Sequence, residues 1–434
     1  MAVRYNSLAL MGDQGISTMA TEFEEELQRI AARFQIEHPV AISDFPERGN
    51  INLHTYLVAT EDHDYLLQRI NTEVFSKPKR VMSAMVNWIT AQNTYLASDS
   101  RPNTIWEPIT LVPTHEDSLF LELGEGDKFQ IWRLMKRISS AVSYKSLGEV
   151  AEVDKRSNLA EEVGRGLAIN ADLVSSMPTG ELVSSLPGYR DTRGYFNQLR
   201  AVLQGCQSAR EAGELLPSDP EVRTSTEHLY YLHISEIEAA QRRTEPDVPR
   251  FLSLIAENET FALSLADKVA TGEIRRTAIH GDTKIENFLF CVDTGRVKSL
   301  VDLDTIMPYT WLADWGDMMR SLCNVAGEKE RDLSKIQVDR DIYECVVRGF
   351  LTTAKEVTPL EISLMPEAVE IITLELGTRF LTDYLRGDNY FQLGPQDAED
   401  LNKVRGFAQL TLFERLREMR GWATLCIERA ATEA

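Results

Sequence analysis

Residues 279–317 constrain the fold more tightly than any other stretch, because their polar side chains fall where a loop and a hairpin would gather them. Asp282 opens a glycine-containing loop, Asn287 follows five positions later, and Asp302 lies beyond a predicted hairpin. Residues 288–292 are apolar and strand-like, Asp293-Thr294-Gly295-Arg296 is a turn cluster, and residues 297–303 are strand-like again. A hairpin of this kind returns the chain so that Asp302 arrives beside the loop bearing Asn287. Transfer of a γ-phosphoryl group from ATP needs one carboxylate to align a hydroxyl and take its proton, and hard oxygen ligands for metal ions. Asp282 suits the first task, and Asn287 with Asp302 suits the second.

An aspartate in a glycine turn by itself usually bonds its own backbone. The weight therefore rests on all three residues standing in register with the hairpin. His280 is expected to brace the loop through a backbone hydrogen bond. Asp304 is a candidate for contact with substrate hydroxyls, Asp314 is expected to hold its own loop together, and Asp317 reads as a first-turn acid of the next helix.

The wording His280-Gly281-Asp282 with Asn287, followed by VDLDT and DWGDMMR, resembles the aminoglycoside phosphotransferase and choline kinase superfamily, and within it the N-acetylhexosamine 1-kinase branch. FPERGNINLHTYLV (residues 45–58), YLLQRINTEVF (65–75) and ELGTRFLTDYLRGDNYF (375–391) agree with that branch, so the resemblance runs from about residue 38 onward. It implies an α+β, two-lobed protein-kinase-like fold. Residues 1–37 would form an extension with an accessory helix, 38–136 a β-rich nucleotide-binding lobe, and 137–434 a mainly helical lobe carrying the catalytic loop, metal site and acceptor site. ATP and Mg2+ are the implied cofactors, with ATP between the lobes, and the implied reaction places the γ-phosphate on a sugar hydroxyl, chiefly the anomeric hydroxyl of an N-acetylhexosamine. Gly49, Asn50 and Asn52 occupy the hairpin that would cover the phosphates, and Arg69 stands where protein kinases carry a lysine. A guanidinium can fork onto two phosphate oxygens. No acidic residue occurs from Val74 to Ser98 to pair with it, and Glu73 is the nearest substitute.

Arg379 and Tyr390 match positions where the hexosamine kinases hold the sugar. Helical spacing places Glu375, Arg379 and Asp383 on one face, so Arg379 has the alternative of bridging to either acid along the helix. The rival acceptors are an amino alcohol, a hydroxylated amino acid or an aminoglycoside, and Arg379 weighs against a polycation. A nucleotide-binding pseudokinase is the reading from another class.

The net charge of −21 argues against a nucleic-acid partner and suits a cytoplasmic protein acting on a small molecule. Five cysteines without metal-ligand spacing do not make a disulfide framework. No run approaches the ~18 apolar residues of a membrane span, and residues 1–15 read as a loose tail. A helix is expected over 18–34, strands over 51–58, 65–70, 109–112, 119–123 and 129–134, and a crossover near 135–139. Beyond it, apolar spacing near 3.6 predicts helices over 160–173, 192–203, 222–242 and 251–269.

Overall fold

The computed structural model describes residues 23–39, 41–46, 51–98 and 104–433. The chain divides into two compact units. One holds the described residues up to Met82 together with Ile109–Ser139, and the other holds Ser83–Pro108 and the chain from Ser140 on.

The first unit is built on a five-stranded antiparallel sheet of order β1-β2-β3-β5-β4, with β1 Ala41–Asp44, β2 Thr55–Ala59, β3 Asp64–Arg69, β4 Leu121–Leu123 and β5 Gln130–Lys136. Alternation sends Tyr56 and Val58, Leu67, Leu121, Trp132 and Leu134 to one face, where a helix over residues 23–31 and its following turn supply Leu27, Ile30, Ala31 and Phe34. Each large side chain buried here contributes about 1.5–3 kcal/mol, as an upper estimate. The earlier part of the expected helix, residues 18–22, lies outside the described residues. Strand β2 begins later than the pattern of residues 51–58 suggests, and residues 109–112 form only one isolated bridge, Leu111 to Met135, with hydrogen bonds from Val112 N to Leu134 O and from Lys136 N to Thr110 O. Pro108 and Pro113 flank that segment, and neither can donate to extend a ladder.

The second unit is mainly helical. Two expected helices prove broken. Residues 222–242 divide into the Pro220–Thr226 helix, a 3-10 turn over Glu227–Tyr230 and the Glu236–Arg243 helix, which Ser235 starts afresh by accepting from Glu238 N. Residues 251–269 divide into Val248–Glu257 and Glu259–Ala270 at Asn258, whose side chain donates back to Leu254 O at 2.7 Å and so competes with the helix. The longest helices, Pro359–Arg386 and Leu401–Glu433, pack along one another. Pro359–Arg386 starts on a capping box of Thr358 and Glu361 and ends at Gly387, φ 113°. It also meets the Trp311–Cys323 helix closely. A Cβ on Gly316 would stand 2.6 Å from Ala368 O, so only glycine permits this approach.

Small strands complete this unit: β6 Ala141–Val142, β8 Phe288–Cys291 and β9 Val297–Leu300 form a three-stranded sheet, while β7 Thr277–Ile279 pairs with β10 Met307–Tyr309. The predicted hairpin is therefore present as β8 and β9. The molecule is α+β, with a small antiparallel sheet in one unit and a larger helical part in the other. Among the described residues no helix is long and apolar enough to cross a membrane, and all five cysteines are free thiols.

Candidate active site

Strand β7 delivers His280, and the loop that follows is held from beneath by the Trp311–Cys323 helix. The amides of His280 and Gly281 donate to Asp314 Oδ2 and Oδ1 at 2.7 and 2.8 Å, Thr283 Oγ1 donates to the Asp314 carbonyl at 2.6 Å, and Thr283 N donates to Asp317 Oδ2 at 3.2 Å. Gly281 has φ 87°, and a Cβ there would meet Thr305 O at 2.6 Å, so both backbone conformation and space require glycine. Burial pushes the Asp314 carboxyl above its ordinary value, with the neighbouring His280 imidazole and the two amides opposing. Asp314 thus grips the loop of Asp282 rather than its own. Asp317 is likewise not a first-turn acid: the helix begins at Trp311, capped by Thr310, and Asp317 lies buried in its middle.

His280 braces the loop as its position suggests. Its Nδ1 accepts from Asp282 N at 3.3 Å, which leaves the proton on Nε2, 2.9 Å from Val301 O. Asp282 is 27% exposed, and its Oδ2 lies 3.2 Å from both Asn287 Nδ2 and Lys284 Nζ. Asn287 Nδ2 also donates to the Asp282 carbonyl at 2.8 Å. With its amide nitrogen spent on Asp282, Asn287 keeps Oδ1 as a hard oxygen that forms no hydrogen bond among the described residues. Val301 N donates to Asn287 O at 2.8 Å, tying the hairpin to the loop just before Asp302, which has a left-handed φ of 67°. Burial would lower the Lys284 pKa, but Asp282, Glu286 and Asp302 outweigh it and raise the value, so the ammonium persists.

A buried network connects this loop to the Pro359–Arg386 helix. Arg190, itself at φ 60°, reaches Glu375 Oε1 at 3.3 Å, Asp317 Oδ2 at 3.6 Å and the Gly281 carbonyl at 3.2 Å. Thr192 Oγ1 donates to the other Glu375 oxygen at 2.7 Å, and Arg320 pairs with Asp317 at 2.5 Å. Burial alone would raise the Asp317 carboxyl, but Arg320 and Arg190 hold it below the ordinary value. Tyr189 adds a hydrogen bond of 2.9 Å to the same Gly281 carbonyl, and burial pushes its phenol up to about 12, so it remains a donor.

Arg379 stands one helical turn beyond Glu375. The bridge to Glu375 or Asp383 does not form: Glu375 is taken by Arg190 and Thr192, and Asp383 accepts from Arg386 at 2.6 Å and from the amides of Asn389, Tyr390 and Phe391 at 3.2, 3.0 and 2.7 Å. That carboxylate wraps the turn after the helix around itself and so sets the rings of Tyr390 and Phe391. The Arg379 guanidinium lies 5.2, 4.6, 5.4 and 5.3 Å from the ring centroids of Tyr189, Tyr195, Tyr390 and Phe391. Among the described residues no side chain or carbonyl accepts a hydrogen bond from it. Tyr390 is 41% exposed, so the assembly reaches solvent.

Asp304, by contrast, is 2% exposed, and its carbonyl accepts from Ser185 Oγ at 2.6 Å. In the first unit, Arg69 ends β3 with its guanidinium 5.9 Å from the Trp132 ring centroid, and Asn52 is buried with its Oδ1 accepting from Asn71 N at 2.9 Å. Gly49 and Asn50 lie outside the described residues. Sequence reasoning missed Tyr189, Arg190 and Lys284. Lys284 had a usable signal, its place two residues after Asp282; Tyr189 and Arg190 had none, being some ninety residues away from the loop they hold.

Residues 45–337 match the phosphotransferase enzyme family known as APH. Among solved structures, an amicoumacin kinase in complex with AMP-PNP, Ca2+ and Ami is similar at a TM-score of 0.50 and 11% identity, with 89% of this chain and 93% of that one covered. A microcompartment-associated aminopropanol kinase matches at 0.47 and 14%, covering 92% and 98%, and a putative aminoglycoside phosphotransferase from Ralstonia eutropha at 0.49 and 11%, covering 91% and 98%. At these identities the likeness to the amicoumacin kinase concerns the fold alone.

Proposed function

The chain belongs to the phosphotransferase enzyme family, and from that premise we propose that this small-molecule kinase transfers the γ-phosphate of ATP to a sugar hydroxyl, chiefly the anomeric hydroxyl of an N-acetylhexosamine or a related hexose. The observation that carries the proposal is the loop geometry: Asp282 is partly exposed, steered by Asn287 and backed by an ammonium, while the rest of the loop is locked to a buried helix. Asp282 aligns the acceptor hydroxyl and takes its proton as the new P–O bond forms and the bond to ADP breaks. Lys284, with its ammonium 3.2 Å from Asp282 Oδ2, offers a cation to the phosphoryl oxygens.

The donor set fits a divalent cation such as Mg2+. Asn287 presents an Oδ1 that forms no hydrogen bond among the described residues, and Asp302 a carboxylate, a pair that would suit a metal completed by water and phosphate oxygens. No group of three or more His, Cys, Asp and Glu among the described residues would hold a metal alone. Such a cation, when bound, neutralises charge on the transferred phosphate. Asn52 and Arg69 are assigned to the nucleotide on the sequence resemblance, Arg379 and Tyr390 to the sugar, and Asp304, beneath the surface, to its hydroxyls. A soluble, cytoplasmic setting belongs to the same reading.

The amicoumacin kinase was solved with a nucleotide analogue and Ca2+, which supports ATP with a divalent metal here. An amino alcohol, hydroxylated amino acid or aminoglycoside is the rival acceptor. The test is an ADP-release screen over neutral hexoses, N-acetylhexosamines, amino alcohols and aminoglycosides, with phosphorus NMR of the product. Asp282→Asn is expected to keep fold and nucleotide binding and to lose about 10²–10⁴ in turnover. Unchanged turnover in that variant overturns the catalytic assignment, and nucleotide binding without ADP release for any acceptor favours a pseudokinase.

A further inference from the structure

Two buried polar groups without a partner mark a second place in the helical unit. Trp311 Nε1 and Thr277 Oγ1 form no hydrogen bond among the described residues, and Trp311 is only 4% exposed. Both residues line one cavity, whose lining does not include Asp282, Asn287 or Asp302. It lies where the helices Val153–Leu173 and Arg340–Leu351 end and where strand β7 and the Trp311–Cys323 helix begin. A buried donor left unmade is costly, so each such group calls for a partner. We propose that the cavity is a binding site for a small neutral molecule bearing a hydroxyl group, an alcohol or a diol, and that its occupant steadies the loop of Asp282 from behind.

Size, shape and charge set that class. Measured to the centre of a water-sized sphere, the cavity is about 40 Å³. One water needs about 10–15 Å³ by this measure, so there is room for roughly three waters or a molecule of about three to four non-hydrogen atoms. One wall is apolar, with Trp311 and Phe350 stacked at 5.0 Å between ring centroids and Ala354 adding to it. An indole N–H only donates, so the occupant has to bring an acceptor; a hydroxyl oxygen does so and can still donate to Thr277 Oγ1. An anion is disfavoured, because Asp172, 1% exposed, lines the cavity and two helices bring their C-terminal ends with partial negative charge. A cation meets Arg275 and leaves the indole N–H unanswered. Arg275 is in turn engaged by Glu361 at 3.1 Å and Glu356 at 3.9 Å, and the 40% and 60% exposed side chains of Arg275 and Glu356 open the cavity to solvent.

The two orphaned groups stand at the roots of the elements that hold the loop. Thr277 comes three residues before His280 on the same strand run, and Trp311 three residues before Asp314 on the same helix. His280 N and Asp314 Oδ2 are joined at 2.7 Å. A molecule that bridges Thr277 and Trp311 therefore ties the strand to the helix one step behind that bond, and local opening of the loop becomes less frequent.

The test needs no turnover, so it stands or falls separately from the kinase reading. The chain has six tryptophans, and each gives one indole N–H signal in a nitrogen-15 NMR spectrum. Titration with ethylene glycol is expected to shift one of them saturably, at millimolar concentration as suits so small a ligand, and Trp311→Phe, which keeps the ring and deletes the donor, is expected to remove that signal. Thr277→Val is expected to weaken the response about tenfold, and Ala354→Leu, whose added carbons fill the space, to abolish it; each variant is first checked for a wild-type circular dichroism spectrum. If Trp311→Phe does not fold, the other two variants still decide. Hydrogen exchange of the peptide covering residues 279–287, read by mass spectrometry, is expected to slow at least about twofold with the diol in the wild type and to be unchanged in Ala354→Leu. The absence of a saturable shift, or an equal shift in Ala354→Leu, makes the cavity a place for water alone and overturns the site. Binding that leaves the exchange of residues 279–287 unaltered overturns its hold on the loop.

Discussion

Arg190 and Arg379 lie on the same tyrosine, with guanidinium carbons 5.1 and 5.2 Å from the Tyr189 ring centroid, yet their surroundings are opposite. Arg190 is buried among Glu375, Asp317 and the Gly281 carbonyl, each within 3.6 Å. Arg379 has rings on four sides and, among the described residues, no acid paired with it. A buried cation that is fully paired holds a structure together, since removing it strands the charges of its partners. A cation that is flanked by rings and, among the described residues, donates to no acceptor keeps its donors for something else. Arg190 is buried and paired, whereas Arg379 is partly buried and, among the described residues, donates to no acceptor, and the two differences together separate scaffold from candidate site here.

The contrast is easiest to break at Arg190. Arg190→Met is expected to cost about 3–5 kcal/mol, because Glu375 would lose its cation and keep only Thr192, and Asp317 would keep only Arg320 and the Thr283 amide. Chemical denaturation measures it, and a loss under about 1 kcal/mol would mean that Arg190 is not the keystone of the network.

Asp317→Asn tests the same network from its acidic side, at about 3 kcal/mol near neutral pH. The folded-state pKa of Asp317 lies below its ordinary 3.8, so its stabilising contribution is present above 3.8 and fades as pH falls through the lower folded value. The gap between wild type and variant, followed by thermal melts from pH 7 to pH 2, is therefore expected to close in acid. A constant gap would mean that the charge of Asp317 contributes nothing.

Arg379→Ala sharpens the comparison by its mildness toward folding. It is expected to cost no more than about 2 kcal/mol in stability, the range of a desolvated cation–π contact, while acceptor kcat/KM falls by about 10²-fold, the loss of a charge-assisted hydrogen bond of roughly 1.5–3 kcal/mol. Equal damage to melting temperature and to kcat/KM of the kind seen at Arg190 would erase the distinction. Smallest of all is Tyr189→Phe, which keeps the ring but removes the hydrogen bond to Gly281. About 1 kcal/mol is expected in a denaturant titration.

How much of this was legible beforehand follows the range of the forces involved. The loop from His280 to Asn287 and the β8–β9 hairpin are local: a glycine turn, five residues and a tight return leave few places for the side chains to go. The packing of the helix over residues 23–31 and the strand alternation of β2, β3 and β5 were equally readable from periodicity. The breaks at Asn258 and before Ser235 were not, because the local pattern stays amphipathic across them and side-chain bonds to the backbone decide where the helix stops. Asp317 was misread for a related cause: its helix begins at Trp311, which made a mid-helix ion pair look like a first-turn acid.

What the amino-acid sequence determined by itself is the order of chemical groups along the loop of the candidate site, since local sterics and a hairpin suffice to bring Asp282, Asn287 and Asp302 into register. Only the tertiary structure decided which arginine would be paired and which left open. Glu375, Arg379 and Asp383 share a helix face in any reading, but the acids went to Arg190, Thr192, Arg386 and a turn from other parts of the chain. Ion pairing between such distant segments depends on packing that brings them within a few ångströms, and helical spacing carries no record of it.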